Sequence, residues 1–339
     1  MSRTGAQTFI YENPPVITAH RAICGPKEGK GPLAEWFDVI LEDDLLGQKS
    51  WELAESEMVR RAVEQTLQEA GIKPDGVQAM LGGDLNNQII ASSFAARALG
   101  IPFIGLYGAC STFIQALLLG AALIDGGYLE NAVATASSHY CTAERQFRFP
   151  VEMGNQRPPQ ASWTTTACGC ALMQKGGSGA GIRVSSGTIG RVIDLEIKDA
   201  NHMGAAMAPA VCSTIENHLK DMGRSAEEYD LIVTGDLGWI GRNILMELFK
   251  RDNTYMPDEK LIDCGASVFY QKQDAHAGGS GCGCVASVTA GWLMKRLERG
   301  ELRRILVAGS GAMLSATSSQ QGQTIPGISY AVCLEGGAR

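Results

Sequence analysis

Ten cysteines stand in this 339-residue chain, and one of them, Cys110, has a context in which a thiol does chemistry. Phe103 to Tyr107 reads as a strand, Gly108-Ala109-Cys110-Ser111 as a tight turn, and Ser111 to Ile124 as a very apolar helix. A thiol at that junction faces unpaired backbone N–H groups and the positive end of the helix dipole, which favour thiolate. The same groups suit a carboxylate or a developing oxyanion, so Ser111 joins Cys110 as a candidate ligand-binding residue. Two histidines are candidate donors toward this point. His276 opens the glycine-rich stretch His276-Ala-Gly-Gly-Ser-Gly281, and His202 lies in the polar loop Asp199-Ala-Asn-His-Met-Gly204. Asp84 and Asp236 each follow a short apolar strand and read as turn or cap residues.

The other cysteines carry less. Cys168/Cys170 and Cys282/Cys284 are Cys-Gly-Cys pairs, whereas structural zinc prefers two to four residues between ligands, and no histidine stands at finger spacing. Small buried apolar residues are the better reading, with no metal site. The N-terminus lacks a basic-then-apolar layout, and the longest apolar run, Phe113 to Ile124, is interrupted by Gln115. No secretory signal or membrane span is expected, so the thiols are expected to be reduced. A hydrophobic fraction of 45% excludes disorder. A dispersed net charge of −7 excludes a nucleic-acid partner, which needs a basic stripe.

The elements that position Cys110 recur. Ser50 caps a helix from Trp51 to Ala70, whose stripe is Leu53, Met58, Val59, Val63, Leu67 and Ala70, and Gly71 ends it. A turn at Lys73 to Gly76, a strand at Val77 to Leu81 and a helix at Asn86 to Leu99 lead to the Cys110 unit. A buried strand, Ala132 to Ala136, follows it. The second part repeats this order: an amphipathic helix at Thr214 to Met222, a strand at Leu231 to Thr234, and a buried strand at Ile305 to Ala308. A shift of 152 pairs Gly83-Asp84-Leu85 with Gly235-Asp236-Leu237, and Gly71 with Gly223. A shift of 173 pairs Gly127 with Gly300 and Ser137 with Ser310. The 21-residue difference places an insertion between about Arg242 and Ala275. A duplicated α/β chain follows, with halves 1–176 and 177–339 and mostly parallel sheets covered on both faces. Helices between those sheets need small residues, which Gly120-Ala-Ala122 and Gly278 to Ala286 supply; they account for part of the 41 glycines.

These features together resemble the thiolase superfamily, particularly its ketoacyl synthase III condensing enzymes. The resemblance rests on the Cys110 turn, the duplication, and the His276 loop, which is similar to the superfamily's Gly-His-Pro-x-Gly-x-Ser-Gly. It implies two βαβαβαββ halves in five layers, α-β-α-β-α. Condensing enzymes place a histidine or asparagine where Asp236 stands here, and an ionised carboxylate accepts hydrogen bonds only and repels a thiolate. Condensation is therefore expected to be impaired. Asn155-Gln-Arg-Pro-Pro159, Trp163-Thr-Thr-Thr166 and Gly235-Asp-Leu-Gly238 resemble, more narrowly, a sporulation branch of the superfamily. That branch implies a non-catalytic dipicolinate-binding protein, peripheral to the spore inner membrane and partnered by membrane proteins of the same transport system. Its ligand residues would be Cys110, Ser111, His202, Asp236 and His276, with calcium entering only alongside the dipicolinate. An active acyltransferase, with Cys110 as nucleophile and His276 as partner, is the alternative; a purely structural role is a third. The region Glu144 to Trp163, with Arg145, Arg148, Pro150, Arg157, Pro158 and Pro159, reads as a long ordered loop covering the pocket and reaching across a homodimer.

Overall fold

The computed structural model describes residues 2–147, 156–176 and 181–337. Arg148, Pro150 and Asn155 lie outside the described residues. The main path of a 13-stranded sheet takes five strands from the first half: β1 (Val16–Cys24), β2 (Met80–Gly83), β3 (Phe103–Gly105), β4 (Asn131–Ser138) and β5 (Ala167–Gln174). Five more build the second: β6 (Ile182–Ile189), β7 (Leu231–Thr234), β8 (Leu261–Asp263), β9 (Arg304–Ala312) and β10 (Gly327–Glu335). The order β8-β7-β9-β10-β6-β1-β5-β4-β2-β3 is the same arrangement twice, turned about the β6–β1 seam. That seam is two antiparallel residue pairs, Ile182 with Ile17 and Arg183 with Val16.

The sheets are mixed rather than mostly parallel. β2 runs parallel to β3 and β4, and β7 to β8 and β9, but β5 and β10 run antiparallel to both neighbours. The last strand of each half returns beside its predecessor without a full crossover, and an antiparallel return needs no long connection.

The helices complete five layers. α1 (Trp51–Ala70) and α2 (Ile90–Leu99) cover one outer face, and α5 (Met203–Met222) and α6 (Gly238–Arg251) cover the other. Between the sheets lie α3 (Thr112–Asp125) and α8 (Cys282–Ser287), packed on each other, with the short α7 (Cys264–Val268) against α8. α3 touches strands of both halves, which explains why it is apolar all round: Phe113, Ile114, Ala116, Leu117 and Ala121 are fully buried. The two glycine-bearing central helices approach the sheets closely. A methyl at Gly283 would run into the Ala167 carbonyl and the Ser138 N–H, both backbone, whereas one at Gly120 would meet the mobile end of Met173.

Local signals held where a cap defined them. The Ser50 side chain accepts from the Leu53 N–H, and Gly71 closes α1 with φ 68°. Leu53 itself is 38% exposed and lies off the buried stripe, whose members include Ala54, Glu55, Met58, Val59 and Ala62. The strand expected at Val77 to Leu81 runs instead from Met80 to Gly83, because its glycines let neighbouring backbone approach. The helix expected from Asn86 begins only at Ile90, since Gln88 and Ile89 take positive φ. α5 starts eleven residues before the expected Thr214 and runs through Pro209. Part of the expected loop is helix α4 (Tyr140–Phe147). All ten cysteines are free, and Cys141, on α4, is the one that is not buried. No helix among the described residues is long and apolar enough to cross a membrane.

Gly283→Ala is expected to destabilise the fold by about 1–3 kcal/mol, because backbone cannot yield as a side chain does. Gly120→Ala should be near neutral, its gain of about 1 kcal/mol in helix propensity offsetting a small shift of Met173. Denaturant midpoints of the two variants check this, and equal midpoints would contradict the packing.

Candidate functional site

Cys110 sits in a turn that its neighbours lock. The Ser111 hydroxyl donates to the Gly108 carbonyl at 2.6 Å, and the Thr112 hydroxyl to the Ala109 carbonyl at 2.6 Å. Ala109 takes φ 49°, a left-handed conformation unusual for a residue with a Cβ. The Cys110 side chain, 4% exposed, points into the interior against Asp236, at the end of β7.

Asp236 is fully buried and held by donors. Ser310 Oγ donates to Oδ1 at 2.6 Å, and the Gly281 N–H to Oδ2 at 2.7 Å. Its own N–H donates to Ser310 Oγ at 2.7 Å, and the Ser280 and Cys110 side chains bond to it as well. Burial nevertheless raises the Asp236 carboxyl above its ordinary range. The Cys110 thiol is pushed well above its ordinary value, first by burial and then by the Asp236 charge. This corrects the expectation of a thiolate. A helix terminus contributes about 0.3–2 kcal/mol. Full burial shifts a pKa by up to about 3–5 units, each unit about 1.4 kcal/mol. Burial is the larger effect, and it favours the protonated thiol.

The remaining candidates do not all converge. Ser111 is buried, with its hydroxyl spent on the turn. His202 precedes α5, partly buried near Asp199. His276 takes φ 49°, bridges to Ser162, and has Nε2 3.6 Å from the exposed Asp274 carboxylate. Arg145 pairs with Glu52 and lies over Trp51, while Arg157 stands 4.8 Å from the Trp163 ring. The cavity at Cys110 is lined by Leu85, Tyr107, Thr164, Met203, Ser280 and Leu314, among others, and neither histidine is part of its wall. Its volume of about 40 Å³ suits a water molecule. Leu85, Tyr107 and Leu314 also border a groove of about 490 Å³ lined by Asn86, Asn87, Gln88 and Gln146. Neither wall includes a lysine, arginine or histidine among the described residues.

A second buried carboxyl pair was not singled out from the sequence. Glu55, on α1, accepts from Asn86 Nδ2 at 2.8 Å, Ser137 Oγ at 2.9 Å and Thr142 Oγ1 at 3.0 Å. Asp84 accepts from the N–H groups of Asn86 at 2.9 Å and Ser92 at 2.8 Å, capping α2. Burial and then the Asp84 charge push Glu55 up to about 8. Two signals were present: a glutamate in the apolar stripe of α1, and the offset pairing Ser137 with Ser310. Each of those serines donates to a buried carboxyl group. Cys282 lies between the two sites, its thiol donating to the Ser137 carbonyl at 2.9 Å.

A family model described as stage V sporulation protein AD matches residues 5–335. The chain is 42% identical over 340 residues to stage V sporulation protein AD of Bacillus subtilis (strain 168), covering all of both chains. The chain belongs to the stage V sporulation protein AD family. The fold is that of thiolase-like condensing enzymes. A variant of OleA from Xanthomonas campestris superposes with a TM-score of 0.62 at 14% identity, over 96% of this chain and 99% of that one. The 3-oxoacyl-acyl-carrier-protein synthase III of Aquifex aeolicus VF5 gives 0.57 at 13% identity, over 95% and 99%. A tetronic acid condensing enzyme gives 0.61 at 16%, over 95% and 100%. The chain is thus a sporulation protein of this family on a thiolase-like scaffold.

Two outcomes follow from the buried carboxyls of this family member. A carboxyl whose folded value exceeds its unfolded one holds its proton more tightly when folded, so stability falls as pH rises between the two. Glu55 therefore contributes a decline of up to roughly 1 kcal/mol per pH unit between its ordinary value near 4.5 and about 8. Glu55→Gln should flatten that slope in pH-dependent unfolding, and a curve parallel to wild type would contradict it. Alkylation of native Cys110 by iodoacetamide should be slow at neutral pH and rise only in strong alkali. Asp236→Asn should move that profile to lower pH; peptide mass mapping reads both.

Proposed function

We propose that this chain binds pyridine-2,6-dicarboxylate as a receptor on a condensing-enzyme scaffold, without covalent chemistry of its own. The observation that carries the reading is the placement of the buried Cys110 thiol against the fully buried Asp236 carboxyl. An acyl transfer needs the thiolate, and here burial and a carboxyl acceptor keep the thiol protonated. What remains is a turn built for an acyl carbonyl, now floored by groups that bind.

In this reading the planar ring occupies the groove beside Cys110, between Leu106, Tyr107 and Leu314, where apolar walls meet the amides of Asn87 and Gln88. Cys110 lines the small cavity that shares Leu85, Tyr107 and Leu314 with the groove, Ser111 and Asp236 lie buried behind it, and His202 and His276 turn to the rim on binding as carboxylate donors. Calcium enters only as the ligand's counter-ion. Dimerisation and docking to membrane proteins of the spore transport system belong to the same proposal. The intact Cys110 turn keeps acyl transfer as a second reading.

Calorimetric titration with dipicolinate is expected to show saturable binding, weakened at least about tenfold by Cys110→Ala and by His202→Ala, a loss of about 1.4 kcal/mol. Absence of binding, or binding unchanged in both variants, sinks the assignment. The protein should keep its unmodified mass after incubation with acyl-thioesters, and an adduct on Cys110 would favour the transferase. Sedimentation of the same samples should give a dimer mass.

A further inference from the structure

A further cavity, of about 330 Å³, is lined by Lys27 and Lys30, by the acids Glu28 and Asp44, and by Tyr140 and Trp163, and its wall does not include Cys110. It is within the range of small-molecule sites. One wall is a stack: the rings of Tyr140 and Trp163 lie 3.9 Å apart at 9°. Lys27 Nζ stands 3.3 Å from the centroid of the Trp163 ring. Tyr140 already covers one face of the indole, so the ammonium occupies the other.

This ammonium makes no direct ion pair among the described residues. Burial lowers its pKa, while the Asp274 and Glu28 carboxylates attract it from beyond ion-pair distance. The neighbouring Glu28 carboxyl is spent on backbone, accepting the Thr166 N–H at 3.1 Å, and burial pushes it up to about 7. Arg157 adds a further cation beside the same stack. A cation over an indole gains about 0.5–2 kcal/mol, whereas a hydrogen bond between charged groups gains about 1.5–3. A carboxylate entering the cavity therefore out-competes the ring for the ammonium. The departure of Lys27 uncovers an aromatic face, and a planar ring can stack there.

We propose that this cavity is a second ligand site, for a planar aromatic carboxylate, whose ring replaces Lys27 on Trp163 while Lys27 Nζ turns to the carboxylate. Lys27 is a placeholder that keeps the indole face covered until the ligand arrives. The site stands on residues separate from those of the Cys110 groove, so it does not depend on the dipicolinate reading.

The test is a fluorescence titration of the intact protein with sodium benzoate, because exchanging an ammonium for a stacked ring alters indole emission. A saturable change is expected, absent in Trp163→Phe, retained in Lys27→Arg, and weakened at least about tenfold in Lys27→Gln. Cys110→Ala should leave it unchanged. No saturable change with wild type, or equal affinity in a Lys27→Gln variant of unaltered melting temperature, overturns the site. Loss of the signal in Cys110→Ala overturns its independence, and an equal response to acetate overturns the stacking.

Discussion

A carboxyl group taken fully out of water must be matched by donors, and the centre of this molecule is arranged around that requirement at Asp236. Ser310 on β9, Gly281 before α8 and Cys110 before α3 all turn toward it. These three residues come from separate segments, so the carboxyl ties the two central helices to the second-half sheet. An unmatched buried carboxylate would destabilise by several kcal/mol, which is why the surrounding backbone is so closely specified. The same interaction decides the chemistry of the turn. Cys110 lies against this carboxyl, and burial together with the Asp236 charge favours the protonated thiol over the thiolate.

The duplication explains why such a site exists in both halves in altered form. Asp84 and Asp236 follow equivalent strands, and Ser137 and Ser310 lie on equivalent strands, yet the carboxyl groups they serve differ. In the first half the serine reaches Glu55 of α1, and Asp84 turns to cap α2. In the second half Asp236 takes the serine itself, and the helix-capping duty passes to Asp263. Asp263 accepts from the N–H groups of Leu237, Gly238 and Ala266 and is pushed up to about 7 by burial. The same order of strand, acid and serine thus serves the buried Glu55–Asp84 pair in one half and the buried Asp236 beside Cys110 in the other.

Much of the frame was legible because its signals are local. Ser50 and Gly71 bound α1 as their cap chemistry requires, and the very apolar run after Cys110 forms the helix its composition predicts, mostly buried between the sheets. The strand Leu231–Thr234 was legible to the residue. Where a boundary depended on neighbours, it moved. Gly82 and Gly83 look like a strand end but continue β2, because adjacent backbone crowds both positions. Gln88 and Ile89 look helical but turn left-handed ahead of α2. The mixed sheet direction could not be read at all, since nothing in a buried strand's composition records which way its neighbour runs.

At the site the division is sharper. The sequence by itself determined that Cys110 stands in a strand-turn-helix unit, that the chain is a duplicated α/β protein, and that an acid replaces a donor at position 236. Only the tertiary structure decided that this acid faces Cys110, that Ser111 is spent on its own turn, and that His276 points to Asp274 instead of lining the Cys110 cavity. The protonation of a thiol depends on burial and on charges brought from remote segments. A dipole at a helix terminus is local and readable, but desolvation is a property of the packed whole, and here it is the larger effect.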